Sequence, residues 1–248
     1  MKRAIITGAS SGIGMELARV LTKRGYAVAL VARRAALLTE LAAELPGSVA
    51  IPCDVSDAEA LTAAVREAER QLGGPIDLAV ANAGIGLLSP AVKFDAANAE
   101  LMVRVNVLGT MYLFGAVIPS MVERREGTFA GVASVAGLRG LPSSAVYSAT
   151  KSAMQTFLEA SRVELAPRGV KVITVNPGFV ATPMTAKNRF TMPFLLQAPA
   201  AARIIADGIE RGARVVEFPR AMSIVMRTMR LLPGALYDWI AGRMVKRG

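Results

Sequence analysis

Apolar residues along this chain gather in short runs: RAIIT at 3–7, YAVALVA at 26–32, SVAIP at 48–52, IDLAVA at 76–81, GTFAGVAS at 127–134, VKVITVN at 170–176 and ARVVEF at 213–218. Their length and their β-branched content predict strands. Between them, residues 34–45 and 57–72 carry Leu, Ala and Val at helical spacing with charges between, while 96–123 and 144–166 are longer and apolar on more than one face. Uniformly apolar strands alternating with helices predict a parallel sheet covered on both faces, and right-handed crossovers make it α/β, a doubly wound, Rossmann-like sheet of about seven strands. Two segments break the rhythm: 177–199, rich in Pro, Phe, Met and Thr, and the tail from 219 onward.

A length of 248 residues fits one domain. We expect residues 1–218 to form the body of that domain and 219–248 to be its basic amphipathic extension. Apolar runs are interrupted before the roughly 20 residues needed to cross a bilayer. The basic start MKR leads into too short an apolar stretch for a signal peptide. A soluble, cytoplasmic protein is expected.

Composition narrows the chemistry. Histidine is absent, which excludes Ser-His-Asp and Cys-His nucleophilic mechanisms and the usual zinc sites, so no metal site is expected. The single cysteine, Cys53, lies in an apolar run and reads as a buried inert thiol. The formal charge of +10 suggests an anionic partner without choosing among nucleic acid, phospholipid and a phosphorylated cofactor.

ITGASSGIGMELARVL sets Gly8, Gly12 and Gly14 directly after the first strand and at the start of a helix. Glycine permits a tight turn and lets backbone amides approach a diphosphate at the positive end of a helix dipole. The spacing departs from G-x-G-x-x-G, so position carries the argument. The end of the second strand, LVARR, offers Arg33 and Arg34 and no acid. Basic residues there suit the 2′-phosphate of NADP, whereas a solvated pair at a helix start is the alternative.

AVYSATKSAM sets Tyr147 and Lys151 four residues apart, on one helical face with Cβ atoms about 5–6 Å apart. Lowering a phenol from about 10 to about 7 takes roughly 4 kcal/mol. A lysine charge about 5 Å away supplies on the order of 3 kcal/mol at an effective dielectric of about 20. A phenol lowered by its neighbour is therefore expected, although such pairs are more often amphipathic surface features.

These segments, with CDV (53–55), ANAG (81–84), VNVLG (105–109), VASVAG (132–137) and NPGFVATPM (176–184), occur in an order and spacing that resembles the short-chain dehydrogenase/reductase family, over residues 1 to about 218. The resemblance implies an NADP-dependent oxidoreductase with Ser134, Tyr147, Lys151 and Asn106 as catalytic residues. Tyr147 would be the general acid/base, Ser134 a donor to the substrate oxygen, and Asn106 the holder of a water that relays protons to Lys151. Cofactor binding would use Gly8, Ser10, Ser11, Gly12, Ile13, Gly14, Arg33, Arg34, Asp54, Val55, Asn82, Ala83, Gly84, Tyr147, Lys151, Pro177, Gly178, Val180 and Thr182. Ala81 departs from the asparagine common at that position. Ser134 as a turn residue and Asn106 as a core hydrogen-bonder are the bland alternatives.

The resemblance makes residues 1–218 a dinucleotide-binding and catalytic unit with a substrate loop at about 183–198, where Phe190, Met192, Phe194, Leu195 and Leu196 are expected to close over a hydrophobic carbonyl or alcohol, or to pack on the body. In the tail, Arg220, Arg227, Arg230, Arg243, Lys246 and Arg247 stand against Asp238 alone, a net +5 that is half of the formal charge. Met222, Val225, Met226, Met229 and Leu232, then Leu236, Trp239, Ile240 and Met244, recur at helical spacing. This suits peripheral contact with an anionic membrane at its inner surface, or packing on the domain or a partner. Nucleic acid is not expected, whereas a homodimer or homotetramer is. A catalytically silent dinucleotide-binding sensor or membrane-associated scaffold is the alternative function.

Overall fold

The computed structural model describes residues 1–188 and 191–245. Phe190, Lys246 and Arg247 lie outside the described residues, as does the side chain of Met244. Seven parallel strands make one sheet: β1 (Lys2–Thr7), β2 (Tyr26–Ala32), β3 (Val49–Pro52), β4 (Leu78–Ala81), β5 (Gly127–Val132), β6 (Val170–Pro177) and, after the short pair β7 (Val180–Ala181) and β8 (Leu196–Gln197), β9 (Val215–Phe218). Their order is β3-β2-β1-β4-β5-β6-β9. The chain winds outward from β1 to β3, then crosses back to lay β4 against the other side of β1. That reversal opens a crevice at the carboxyl ends of β1 and β4.

The pleat divides the core in two. Ala4 and Ile6 of β1 point toward helices α1 (Gly12–Lys23) and α2 (Ala35–Glu44), where Leu17, Leu21, Leu38 and Leu41 are buried. Ile5 points the other way, toward Leu61 and Val65 of α3 (Ala58–Leu72). Asp57 caps α3 by accepting from the Ala60 amide, and Gly73 ends it in a left-handed conformation.

The predicted helix at 96–123 is a composite. It runs as α4 (Ala96–Met102), a π turn over Val103–Leu108, and α5 (Gly109–Arg124). By length and composition Ala96–Arg124 could cross a bilayer, with mean hydropathy 1.7, despite the interruptions in its apolar pattern. In this fold Met102, Val105, Leu113, Val117 and Met121 fill the core, which accounts for that apolarity. Next come α6 (Ala145–Leu165) and α7 (Ala198–Glu210), a helix not among those predicted, whose Ile205 and Ile209 complete the first core layer.

The extension forms α8 (Arg220–Leu231) and α9 (Gly234–Val245). Met222 and Met226 are buried and pack with Val135, Leu138 and Phe179 beside the end of β5. Arg139 lies over the Tyr237 ring at 4.3 Å and donates to the Arg230 carbonyl, while the Tyr237 hydroxyl donates to the Gly140 carbonyl. The inner face of the extension therefore packs on the body, and Ile224, Leu231 and Trp239 remain on its exposed side.

Phe129 on β5 is fully buried, edge-on to Phe114 at 5.1 Å. Phe129→Ala is expected to cost about 3–5 kcal/mol of stability. Equilibrium denaturation checks this, and a loss below about 1 kcal/mol would contradict the packing described.

Candidate active site

A cleft of about 520 Å³ opens at the carboxyl ends of the strands. Every residue expected at the site lines it except Gly14 and Asn106, which lie immediately behind its wall. The glycine loop owes its shape to close backbone packing. Gly8 and Gly12 have φ of 70° and 59°. A Cβ on Gly14 would lie 2.5 Å from both the Gly8 carbonyl oxygen and Asn82 Nδ2, and one on Gly12 would meet Thr182 Cγ2 at 3.0 Å. Ser11 begins α1 without a side-chain cap, and no acidic residue occupies the first turn. That leaves a cradle of backbone amides with room for an anion.

Asn82 ties this loop to β4. Its Nδ2 donates to Thr7 O at 2.9 Å, and the Asn82 and Ala83 amides both donate to Thr7 Oγ1 at 3.1 Å. Thr7 was not singled out from sequence; its place as the last residue of β1, directly before the loop, is the signal that could have found it.

Both arginines at the end of β2 are exposed, and each leans into the cleft rim. Arg34 Nη2 donates to Ser10 Oγ and Ser11 Oγ, both at 2.7 Å. Arg33 Nη1 lies 3.8 Å from Asp54 Oδ2. Burial pushes the Asp54 carboxyl up, but donation from the Ser56 amide and hydroxyl, with Arg33 nearby, more than offsets it and holds the group below its ordinary value. Cys53 is buried, its thiol pushed up to about 11 first by desolvation and then by Asp54 and Asp57.

Ser134, Tyr147 and Lys151 converge where β5 ends. Ser134 Oγ accepts from the Ala136 amide at 3.1 Å and donates to Pro177 O at 3.3 Å. Lys151 Nζ donates to Val132 O at 2.8 Å and sits 5.8 Å from the centre of the Tyr147 ring. Burial pushes Lys151 down to about 8. Burial also pushes Tyr147 up, and the hydrogen bond with Ser134 only partly opposes this. The expectation of a phenol lowered by its lysine neighbour is thereby corrected: desolvation disfavours both charged forms, and the ammonium is turned toward a strand carbonyl.

Asn106 is fully buried in the π turn. It clamps the segment after β4 in both directions, with Oδ1 accepting from Ile85 N at 2.8 Å and Nδ2 donating to Ile85 O at 2.9 Å. Nδ2 also reaches Thr150 Oγ1 at 3.1 Å, on the helix that carries Tyr147. A Cβ on Gly84 would lie 3.3 Å from Asn106 Oδ1 and 3.4 Å from Lys151 Nζ, so both groups face one small space. Pro177, Gly178, Val180 and Thr182 wall the far side. From the expected substrate loop, Met184 reaches the cleft, whereas Phe194 and Leu195 are exposed outside its lining and Leu196 pairs with Val180. Met192 accepts from Asn188 Nδ2.

The chain matches the short chain dehydrogenase family profile over residues 2–192. An uncharacterized oxidoreductase of Myxococcus xanthus is 39% identical over 247 residues, 98% of this chain and 97% of that protein. Among solved structures, a variant of actinorhodin polyketide ketoreductase with NADPH superposes with a TM-score of 0.82 at 28% identity, covering 90% of this chain and 97% of that one. A 3-ketoacyl-(acyl-carrier-protein) reductase from Brucella melitensis complexed with NADH gives 0.83 at 29% identity, covering 90% and 98%. This protein belongs to the short-chain dehydrogenase family of nucleotide-binding oxidoreductases.

Gly14→Ala forces a methyl against the Gly8 carbonyl and Asn82. It is expected to weaken binding of a nicotinamide dinucleotide at least about tenfold, a loss of about 1.4 kcal/mol. Quenching of intrinsic fluorescence measures this, and unchanged affinity with unchanged secondary structure would contradict the cradle.

Proposed function

We propose that the chain reduces a carbonyl on a hydrophobic small molecule, using NADPH in preference to NADH, with Tyr147 as proton donor. The observation that carries this reading is the meeting of the Ser134 and Tyr147 hydroxyls and the Lys151 ammonium in one cleft with the glycine loop. When bound, the reduced nicotinamide supplies a hydride to the carbonyl carbon. Ser134 donates a hydrogen bond to the carbonyl oxygen as charge develops there. Tyr147 then gives that oxygen its proton.

A phenol raised by burial is protonated at neutral pH, which suits a donor better than a base and favours reduction. Lys151 keeps a charge near the phenol and reaches the nicotinamide ribose. Asn106, sharing the space beside Gly84, orders a water that relays protons to Lys151. Arg33 and Arg34 take the 2′-phosphate, and the missing acid at the end of β2 supports this. The neighbouring complexes contain both NADPH and NADH, so the preference rests on the arginines. Hydrophobic substrate is supported by Ile85, Leu87 and Met184 along the cleft.

The reading includes a cytoplasmic location and a homodimer or homotetramer, for which Leu101, Val103 and Val163, exposed on the helices of one layer, offer apolar surface. It also includes peripheral contact of α8 and α9 with anionic lipid. Ile224, Leu231 and Trp239 stay exposed among Arg220, Arg230 and Arg243, which supports that contact.

Tyr147→Phe is expected to lower kcat for NADPH-dependent ketone reduction about 100- to 10,000-fold while NADPH affinity changes less than about twofold. Retained turnover in steady-state assays at the nicotinamide absorbance would retire the mechanism. Replacing Arg33 and Arg34 by Ala together is expected to raise KM for NADPH at least about tenfold and leave that for NADH nearly unchanged, since charge-assisted contacts contribute about 1.5–3 kcal/mol each. Equal losses would remove the NADP preference. Vesicles containing anionic lipid are expected to sediment the protein at low salt and release it at high salt; failure to retain it ends the membrane reading.

A further inference from the structure

The face of α6 that carries Tyr147 and Lys151 continues one turn further to Gln155, a residue outside the motifs named above, which starts a polar chain. Gln155 Nε2 donates to Ser134 O at 2.8 Å and to Asn176 Oδ1 at 2.9 Å. Asn176 Nδ2 donates to Glu217 Oε1 at 2.9 Å. Glu217 is gripped in turn by Arg227, Nε to Oε2 at 2.9 Å and Nη2 to Oε1 at 3.1 Å. Its direction is fixed at both ends, because the Ser134 carbonyl and the Glu217 carboxylate only accept. Neither amide can be turned over without losing bonds.

The chain meets Ser134 just past the end of the backbone ladder. β5 ends at Val132, the last backbone bond to the neighbouring strand is from Ala133 N to Val175 O, and beyond it the strand is reached by the Ser134 hydroxyl, at Pro177 O. Beyond that, the Ser134 carbonyl is held by the Gly137 amide and by Gln155. Asn176 is 3% exposed and the Glu217 side chain 12%, so the polar groups are committed to one another rather than to water. Apolar side chains would fill the space between the ends of β5, β6 and β9 without needing so many satisfied bonds; buried polar networks restrict a site to one arrangement.

We propose that Gln155 is a positioning residue for Ser134, and that Asn176, Glu217 and Arg227 anchor it to α8, making the C-terminal extension part of the catalytic apparatus. This rests on the reductase reading above. Full loss of a hydrogen-bond donor to a developing oxyanion costs about 100- to 1,000-fold in kcat, so displacing the donor costs on the order of tenfold.

The test is a double-mutant cycle on the full-length chain, with NADPH and a set of hydrophobic ketones such as 2-nonanone and 1-tetralone. Gln155→Leu is expected to lower kcat about tenfold and leave KM for NADPH within about twofold. In a Ser134→Ala background the same change is expected to cost less than about twofold, since no hydroxyl is left to position. Arg227→Met, at the exposed end of the chain, is expected to lower kcat about threefold with the same dependence on Ser134, and it decides the matter should Gln155→Leu fail to fold. Equal losses in both backgrounds, or undiminished kcat in the single variants, would overturn the inference while leaving the reductase reading intact. Absence of turnover by the unsubstituted chain with every ketone would overturn both.

Discussion

Taking a lysine ammonium out of water beside a half-buried tyrosine on one face of a helix is the constraint around which this structure is arranged. Lys151 is 3% exposed, and an unpaired buried charge there would be costly. The end of β5 meets part of that cost by presenting the Val132 carbonyl to Nζ. The Ser134 hydroxyl partly opposes the rise in the phenol's pKa, and the glycine at position 84 leaves space beside the amine. Burial thus holds the phenol protonated and brings the pKa of the amine down to about 8, a state that suits a proton donor in the proposed reaction.

The same region depends on helices and loops being fastened from behind. Asn106 could not grip both backbone groups of Ile85 and also reach Thr150 from a side chain pointing to solvent; the π turn brings it fully into the interior. Asn82 and Thr7 do the equivalent for the glycine loop, where Gly8 and Gly14 allow atoms to approach closer than any Cβ would permit. The glycine loop and α6 therefore share the β4 end as their common support. Such π turns within helices are frequent at functional sites.

Much of this was legible in the sequence, for reasons that differ from element to element. β2 is buried at every position, so YAVALVA declares itself, and the predicted bounds agree with the structure. Arg33 and Arg34 follow that strand directly, which is why their place at the cleft rim could be read from the sequence. The helix α7 was missed although Ala201, Ala202, Ile205, Ala206 and Ile209 recur at helical spacing, because it follows directly on a Pro-rich run and carries Pro199 in its own first turn. The π turn was invisible, since a single extra residue in a helical turn leaves no mark on a 3.6-residue pattern. The direction of the Tyr147 shift was misread because spacing gives the distance between two groups but says nothing of the desolvation each suffers. The tail's apolar stripe was read, yet only packing could separate Met222 and Met226, which face the body, from Val225, Leu236 and Trp239, which are exposed.

The most direct test of this account is the titration of Lys151 itself, followed by 15N NMR of its Nζ in lysine-labelled protein and assigned with Lys151→Arg. Burial against Val132 predicts a midpoint near 8. A midpoint above about 10, the ordinary range for a solvated lysine, would show that the amine is not desolvated and would contradict the electrostatic basis of the proposed proton donor.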